Sequence, residues 1–107
     1  MKKYEIYIAY VAWEGNGKNR PVLCLKTDRG LAYAYKITTK FDNKNFAVRK
    51  RYYKIKYWKK AGLNQQSYID TNNIISFSAA EIESRPPIGK LTEYDKKALL
   101  DFIQNDT

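Results

Sequence analysis

The sequence contains no histidine and a single cysteine, Cys24, among its 107 residues. One cysteine excludes an internal disulfide. Without histidine, a zinc site held by this chain would have to use carboxylates almost alone, and an acid–base enzyme would lack the usual carrier of protons near neutral pH. Cys24 lies inside the apolar run Val22–Leu25, with no basic residue beside it. We therefore expect it to be buried packing rather than a nucleophile.

Long apolar runs are also missing from the chain. No stretch approaches the roughly 20 apolar residues that a membrane-spanning helix needs. The first residues, Met1–Glu5, lead into an alternating pattern rather than the apolar block of a signal peptide. We therefore expect a soluble, cytoplasmic protein without membrane contact. With 44% hydrophobic residues, residues 1–107 fit one compact domain with a modest core.

Acidic residues are scarce relative to basic ones, 11 against 20, which gives a net charge of +9. Seven basic residues and no acid lie in the segment RKRYYKIKYWKK, residues 49–60, so the rest of the chain carries only +2 of the +9. Basic groups beside aromatic rings suit single-stranded nucleic acid, which needs phosphate neutralisation and surfaces on which bases can stack. The predicted RNA contacts in this segment are Arg49, Lys50, Arg51, Tyr52 and Lys54.

The same segment has a second interpretation. The helical spacing of Ile55, Trp58 and Ala61 equally predicts the buried side of a short helix that closes near Gly62, with the lysines as its solvent-exposed face. The two interpretations are compatible if the apolar side is buried while the cations line a groove. An acidic protein would be attracted by the same field, so charge alone does not choose between RNA and a protein partner.

The first half of the chain reads as β-strands. Alternating apolar and polar residues predict a first strand over residues 3–12, and the turn-rich stretch 14–19 predicts an exposed loop. Pro21 has no amide donor and therefore suits the first position of a strand, which should continue over residues 22–26. After a short turn, residues 31–38 predict a third strand, paired with the second as a hairpin.

Shorter elements follow. Residues 46–51 predict a short strand, and residues 67–71 and 74–77 predict two more around a turn. Thr92 has the character of an N-cap and is followed by acids, which predicts a terminal helix of about a dozen residues. The apolar stripe of this helix is Leu99, Phe102 and Ile103. The predicted fold class is mainly β, a small and strongly curved antiparallel barrel with a C-terminal helix.

The hairpin places two chemically useful residues together. Arg20 precedes the second strand and Thr38 ends the third, so a tight register brings both to the same end of the sheet. A guanidinium is always charged, and a hydroxyl beside it can donate a further hydrogen bond. The two side chains together could therefore bind one phosphate.

Taken in order along the chain, these motifs resemble the MazF/PemK (Kid-like) family of toxin endoribonucleases, which are SH3-like barrels of the MazF/PemK/CcdB type. The resembling parts are Tyr4–Ala12, Arg-Pro-Val-Leu-Cys-Leu at 20–25, Lys-Ile-Thr-Thr at 36–39, Ser67–Ile69 and Ile88–Leu91. The resemblance implies a homodimer that cuts single-stranded RNA without metal or cofactor. It also implies an acidic antitoxin protein as a partner.

The resemblance assigns roles to individual residues. The catalytic arginine of the family falls on Arg20 and its threonine on Thr38. Glu14 lies near the family's loop glutamate, and Asp70 lies where some members have an Arg-x-Asp pair, without that arginine. We expect Lys18, Thr39 and Ser67 to contact RNA as well.

The chemistry implied is attack by the RNA's own 2'-hydroxyl on the adjacent phosphate, which leaves a cyclic phosphate and a 5'-hydroxyl. Arg20 would stabilise the developing charge, Thr38 would bind a phosphate oxygen or position the nucleophile, and Glu14 or Asp70 would accept its proton.

Other functions fit the same residues. In this alternative interpretation Arg20 is a surface ion-pair partner, Thr38 is an ordinary strand residue and Glu14 is a solvated loop charge. Asp70 and Ser67 are then local caps. The barrel could then be a non-catalytic module that binds nucleic acid or protein, as the gyrase-poison toxins of this fold do, or a degenerate toxin.

Overall fold

The computed structural model describes residues 2–13 and 15–105. Within them the chain forms strands β1 (Glu5–Trp13), β2 (Asn16–Asp28), β3 (Leu31–Thr38), β4 (Tyr52–Lys54), β5 (Tyr68–Ser78) and β6 (Gly89–Lys90). The helices are α1 (Phe46–Arg49), α2 (Ala79–Ile82) and α3 (Glu93–Gln104). Among the described residues, no helix has both the length and the apolar character that crossing a membrane requires.

The six strands form one antiparallel sheet in the order β4-β5-β3-β2-β1-β6. The sheet curls, and the turn after β4 reaches the far edge strand β6. At that contact the backbone of Gly89 lies against the carbonyl of Ala61 so closely that a Cβ on Gly89 would overlap it. The predicted class, a strongly curved antiparallel sheet with a C-terminal helix, is confirmed.

Both faces of the sheet carry apolar side chains, because neighbouring residues of a strand point to opposite sides. One face packs against α3. The fully buried residues of this layer include Ile6, Leu23 and Ile69 from the sheet and Leu99 from α3. The other face packs against α2. The buried residues of this layer include Val22, Cys24 and Ala34 from the sheet and Ile82 from α2. Cys24 is 1% exposed, so its predicted packing role is confirmed, and burial raises the pKa of its thiol.

The terminal helix is confirmed as predicted. Thr92 is its N-cap, and the Thr92 hydroxyl accepts a hydrogen bond from the backbone N–H of Asp95. Leu99 is buried, and Phe102 and Ile103 pack beside it against the core.

The predicted strand over residues 46–51 is wrong. Residues Phe46–Arg49 form the short helix α1, because Asn45 caps it by accepting a hydrogen bond from the backbone N–H of Val48. A side chain that satisfies a free amide at a helix start favours the helical turn over an extended chain. The strand begins only at Tyr52.

Two other boundaries differ from expectation. The stretch predicted as a loop over residues 14–19 belongs from Asn16 onwards to β2, where it pairs with the end of β1. The two strands predicted over 67–71 and 74–77 are one strand, β5. Its pairing with β3 shifts register so that the four residues 71–74 lie opposite the single residue Tyr35. This bulge accommodates the turn-forming asparagines without ending the strand.

The short helix predicted before Gly62 is a hydrogen-bonded turn in the structure, with no helix in the described residues between β4 and β5. The turn does end at Gly62, as the sequence predicted. The N–H of Gly62 donates to the carbonyl of Lys59, and the N–H of Leu63 donates to the carbonyl of Trp58. Gly62 has a φ of +95°. This is the hydrogen-bond pattern of a helix end with glycine in the left-handed region. Ile55 and Ala61, predicted as the apolar side of the segment, are fully buried.

The carboxylate of Asp95 joins α3 to this turn. Asp95 is fully buried, and its oxygens accept hydrogen bonds from the hydroxyls of Tyr53 and Thr92 and from the backbone N–H groups of Lys56 and Tyr57. Burial, with the hydrogen bond to Asp95, raises the pKa of Tyr53 above its usual range. A buried charge is tolerated when several donors surround it, as here.

We predict that Asp95→Asn lowers the free energy of unfolding by about 2–5 kcal/mol, because an amide nitrogen would face donors where an oxygen now accepts. Denaturant unfolding would measure it. Asp101→Asn is the matched control, since Asp101 is exposed on the same helix and should change stability by less than about 0.5 kcal/mol. Equal stability of the two variants would contradict the role given to Asp95.

Candidate functional site

The register of the sheet aligns polar residues on one face. Lys36 pairs with Val22 on one side and with Asp70 on the other, and Asp70 pairs with Tyr52. Residues directly opposite in antiparallel strands share a face. The four side chains therefore form a row across the sheet, on the face that carries Val22 and the α2 core.

A second row lies two residues further along the strands. Thr38 pairs with Tyr68, and Tyr68 pairs with Lys54. Continuing the pairing of β2 with β3 by two residues beyond Val22 and Lys36 places Arg20 opposite Thr38. Because the side-chain period of a strand is two, this row shares its face with the first. Arg20 and Thr38 thus reach the same end of the same face, as the sequence predicted.

Five of the predicted site residues line one small cleft at this end, which we name the Thr38 cleft. It has a volume of about 140 Å³. The predicted residues in its wall are Lys18, Arg20, Thr38, Thr39 and Ser67. The unpredicted Lys40 also lines it.

A larger cleft of about 390 Å³ adjoins it, which we name the Asp70 cleft. Arg20 and Lys40 line both clefts, so the two are neighbours on either side of these side chains. The other polar residues of the Asp70 cleft are Lys36, Lys44, Asp70 and Asn73. Four cations thus surround a single carboxylate, an excess of positive charge that favours an anionic ligand such as a phosphate chain.

Thr38 keeps its hydroxyl proton available to a ligand. The residue is 8% exposed, and its Oγ1 accepts a hydrogen bond of 3.1 Å from the backbone N–H of Lys40. A hydroxyl that accepts one hydrogen bond can still donate another. The contact also fixes the start of the segment that carries Thr39 and Lys40, so both cleft-lining residues are held by the same turn.

Asp70 is held by the fold on both of its oxygens. Oδ1 accepts hydrogen bonds from the backbone N–H and the side-chain amide of Asn72, at 2.9 and 2.8 Å. Oδ2 lies 3.6 Å from the Nζ of Lys36. The amide of Asn72 also donates to the carbonyl of Val48 at 3.1 Å, which ties α1 to the bulge of β5. Asp70 therefore organises the wall of the cleft.

The predicted RNA contact Tyr52 is 6% exposed, so its ring is not an open stacking surface. Burial, followed by the nearby negative charge of Asp70, raises the pKa of Tyr52, while the charge of Arg20 acts in the opposite direction. The ring lies 6.2 Å from that of Phe41, which stacks on Tyr68 at 4.5 Å. These rings support the polar face from the β4 edge of the sheet.

The predicted cations of the basic segment are not brought into the clefts. Arg49 lies 5.5 Å over the ring of Phe41, at the end of α1. Lys50, Arg51 and Lys54 are exposed on α1 and the β4 edge. Of the described residues, those that line the Thr38 and Asp70 clefts include none of these four.

The remaining predicted site residues are Ser67 and Glu14. Ser67 is buried, and its hydroxyl donates to the carbonyl of Gln65 at 2.9 Å, so it is chiefly a local cap at the rim of the Thr38 cleft. Glu14 lies outside the described residues. Within those residues, no three acidic or cysteine side chains lie close enough together to hold a metal ion.

Sequence reasoning missed four residues of the site, Lys36, Lys40, Lys44 and Asn73. Lys36 and Lys40 flank the Ile-Thr-Thr motif, so their spacing from Thr38 was a usable signal: positions 36 and 38 share a strand face. Asn73 enters the cleft only through the bulge of β5, which no pattern in the sequence indicates.

The curled six-stranded sheet, its C-terminal helix and the cation-lined clefts together define a small, basic protein of the MazF-like fold. Comparison with solved structures leads to the same fold. The chain is similar to the Mycobacterium tuberculosis toxin MazF-mt6, with a TM-score of 0.66 and 23% sequence identity over 94% of this chain and 93% of that one. No family model and no curated protein sequence matches the chain. The resemblance found in the sequence is thus confirmed at the level of the fold.

We predict that Asp70→Asn lowers the free energy of unfolding by about 1–2 kcal/mol, because Oδ1 can still accept from Asn72 while the ion pair with Lys36 is lost. Lys36→Met, which removes the other partner, should cost a similar amount. The double variant should cost less than the two single changes combined, which thermal or denaturant unfolding would measure as a coupling energy. Strict additivity would contradict the pairing.

Proposed function

We propose that this protein is an endoribonuclease toxin of the MazF/PemK family, which cuts single-stranded RNA by attack of the 2'-hydroxyl on the adjacent phosphate. The observation that carries the proposal is that Arg20 and Thr38 line one cleft with a surplus of cations. The likeness in fold to a toxin supports it. Such a toxin acts in the cytoplasm as a homodimer and is neutralised by an acidic antitoxin, a partner that the net charge of +9 would attract.

In the proposed reaction, the scissile phosphate binds where the two clefts meet. The guanidinium of Arg20 stabilises the charge that develops on the phosphorane oxygens, and the hydroxyl of Thr38 donates to a nonbridging oxygen. Lys40, which lines both clefts, supplies a second positive charge. The nucleophile belongs to the substrate, so the proposed reaction requires neither a metal nor a cofactor for its attack.

Proton transfer is the demanding part of this chemistry in a chain without histidine. Asp70 lines the cleft with Arg20, but its oxygens already accept hydrogen bonds from Asn72 and face Lys36, so its contacts within the fold occupy both oxygens. Glu14 is the alternative acceptor for the 2'-hydroxyl proton. A loosely placed base is compatible with a slow enzyme, since orientation and charge stabilisation supply most of the acceleration.

We expect the purified protein to cleave single-stranded RNA in the presence of EDTA and to leave 5'-hydroxyl ends. Arg20→Ala should lower the rate by about 100–1000-fold or more, because a transition-state donor is removed. Arg20→Lys should recover only part of it, since an ammonium cannot form the forked pair of hydrogen bonds. Gel analysis of end-labelled RNA, followed by phosphorylation of the new 5' ends, measures both.

Arg85→Ala is the matched control, because Arg85 is an exposed arginine that donates to the carbonyl of Ile8 and lies outside the two clefts. The Arg85→Ala variant should cleave RNA at the wild-type rate. Uncut RNA across a wide range of sequences, or full activity in Arg20→Ala, would overturn the proposed reaction.

The hydroxyl of Thr38 can be tested separately from its shape. Thr38→Val keeps a β-branched side chain in the strand and removes only the hydroxyl, so we expect the cleavage rate to fall by about 100-fold. Loss of the acceptor for the Lys40 N–H should also lower the free energy of unfolding by about 1 kcal/mol. Thr38→Ser keeps the hydroxyl and should retain most of the activity. Single-turnover kinetics with saturating protein distinguish a loss of chemistry from a loss of binding. Equal rates in the two variants would exclude a role for the hydroxyl.

A non-catalytic binding module on the same fold is the second candidate. It is favoured by the exposed cations Lys50, Arg51 and Lys54, which lie outside the clefts, and by the commitment of Asp70 to structural contacts. In that case charge reversal at Arg49, Lys50 and Arg51 removes binding, whereas Arg20→Ala leaves it intact. A degenerate toxin would show neither RNA cleavage nor growth arrest on expression.

A further inference from the structure

A second basic and aromatic surface lies at the start of α3, and we name it the Tyr57–Tyr94 patch. It consists of Lys56, Tyr57, Lys60 and Tyr94. The two rings meet edge to face, with centroids 5.4 Å apart and planes at 90°. The ammonium of Lys56 lies 4.8 Å from the centroid of Tyr94 and 5.5 Å from that of Tyr57, and Lys60 lies 5.4 Å from Tyr57. Two cations and two rings are thus in mutual contact.

The fold holds this patch rigidly from beneath. The carboxylate of Asp95 accepts hydrogen bonds from the backbone N–H groups of Lys56 and Tyr57, at 3.0 and 2.9 Å. It also accepts a hydrogen bond from the hydroxyl of Thr92 at the helix start. Ile55 and Ala61 are fully buried on either side of the patch residues. The side chains of Lys56, Tyr57 and Lys60 therefore project from a turn whose backbone is tied to the first turn of α3, which carries Tyr94. A fixed backbone lowers the entropic cost of binding.

The patch residues are open to solvent, unlike the other aromatics of the basic segment. Tyr57 is 36% exposed and Tyr94 is 52% exposed, whereas Tyr52 and Tyr53 are buried. Lys56, Lys59 and Lys60 are exposed. The nearby acids do not cancel this charge at the surface: Glu93 is paired with Lys96 at 2.8 Å, and Asp95 is turned inward and fully buried.

We propose that the Tyr57–Tyr94 patch is a binding site for single-stranded RNA outside the cleavage clefts, with which it shares no described lining residue. Phosphates would bind Lys56 and Lys60, and bases would stack on the exposed rings. An acidic helical peptide fits less well, because it needs an apolar groove for its anchors, whereas the aliphatic side chains of this segment, Ile55, Ala61 and Leu63, are buried.

The inference deepens the proposed function, on which the choice of RNA as substrate rests. A patch outside the clefts would hold a long RNA by sequence-tolerant contacts while the clefts select the bond that is cut. Its contribution should appear in binding and in KM rather than in the rate of the chemical step.

The test measures binding of a fluorescent, single-stranded RNA of mixed sequence with 2'-O-methyl riboses, which lacks the nucleophile and cannot be cut by the proposed reaction. We expect Tyr94→Ala to weaken binding by about 5–100-fold through lost stacking. The double variant Lys56→Glu with Lys60→Glu should weaken it further and reduce the slope of log affinity against log salt by about two.

Lys26→Glu is the matched control for the single change Lys56→Glu. Lys26 is also an exposed lysine over a tyrosine, 5.2 Å from the ring centroid of Tyr33, but it lies outside the patch. Both changes alter the net charge equally, so only a local contact separates them. We expect Lys56→Glu to weaken binding several-fold more than Lys26→Glu, with circular dichroism spectra of all variants unchanged.

The outcomes separate this inference from the proposed function. If the wild type binds the RNA through the patch but cuts no cleavable RNA, the nuclease fails and the patch stands. If the wild type cuts RNA but the patch variants bind as Lys26→Glu does, the patch fails alone. A change in sedimentation of the patch variants at unchanged RNA affinity would assign the surface to contact with a second copy and overturn the inference.

Discussion

The antiparallel register of β2, β3 and β5 is the constraint on which the candidate functional site depends. It places Lys36 between Val22 and Asp70, and it leads Arg20 and Thr38 to the end of the sheet where both line the Thr38 cleft. Because the side chains of a strand alternate between faces, a slip of one residue would turn every member of these rows to the opposite face. The apolar residues of both faces fix that register, since Val22 and Leu23 are each fully buried on opposite sides of the sheet. The packing of the core and the position of the polar side chains are therefore one and the same requirement.

The structure divides its charged residues into those that stabilise and those that remain available to a ligand. Asp95 is fully buried and accepts hydrogen bonds from two elements, so it acts as a structural link between α3 and the turn after β4. Asp70 has both roles, since it organises the bulge and also lines a cleft. The cations Lys40 and Lys44 are exposed and line the Asp70 cleft. The Asp70 cleft is therefore lined by four cations and a single carboxylate.

The sequence predicted those parts of the fold that depend on periodicity and capping. The alternation in β1, the hairpin of β2 and β3, the N-cap Thr92 and the glycine that closes the turn at Gly62 were all readable, because each rests on local chemistry. The strand predicted over 46–51 was wrong because one hydrogen bond, from the backbone N–H of Val48 to the side chain of Asn45, outweighs the β-propensity of the residues that follow. The placement of Arg20 with Thr38 followed from the hairpin, but Lys40, Lys44 and Asn73 did not. Their convergence depends on a bulge and on the curl of the sheet, which are long-range properties.

The bulge of β5 has a consequence for how such a site can vary. The four residues 71–74 are spanned by regular pairing on both sides, Asp70 with Lys36 and Ile75 with Ala34. Insertions or deletions of chain in this stretch would therefore leave both flanking ladders, and the core behind them, in place. Because Asn73 contributes to the cleft wall, the shape of that wall can diverge between relatives while the rest of the scaffold is inherited unchanged. The bulge thus separates changes in the cleft wall from changes in the fold.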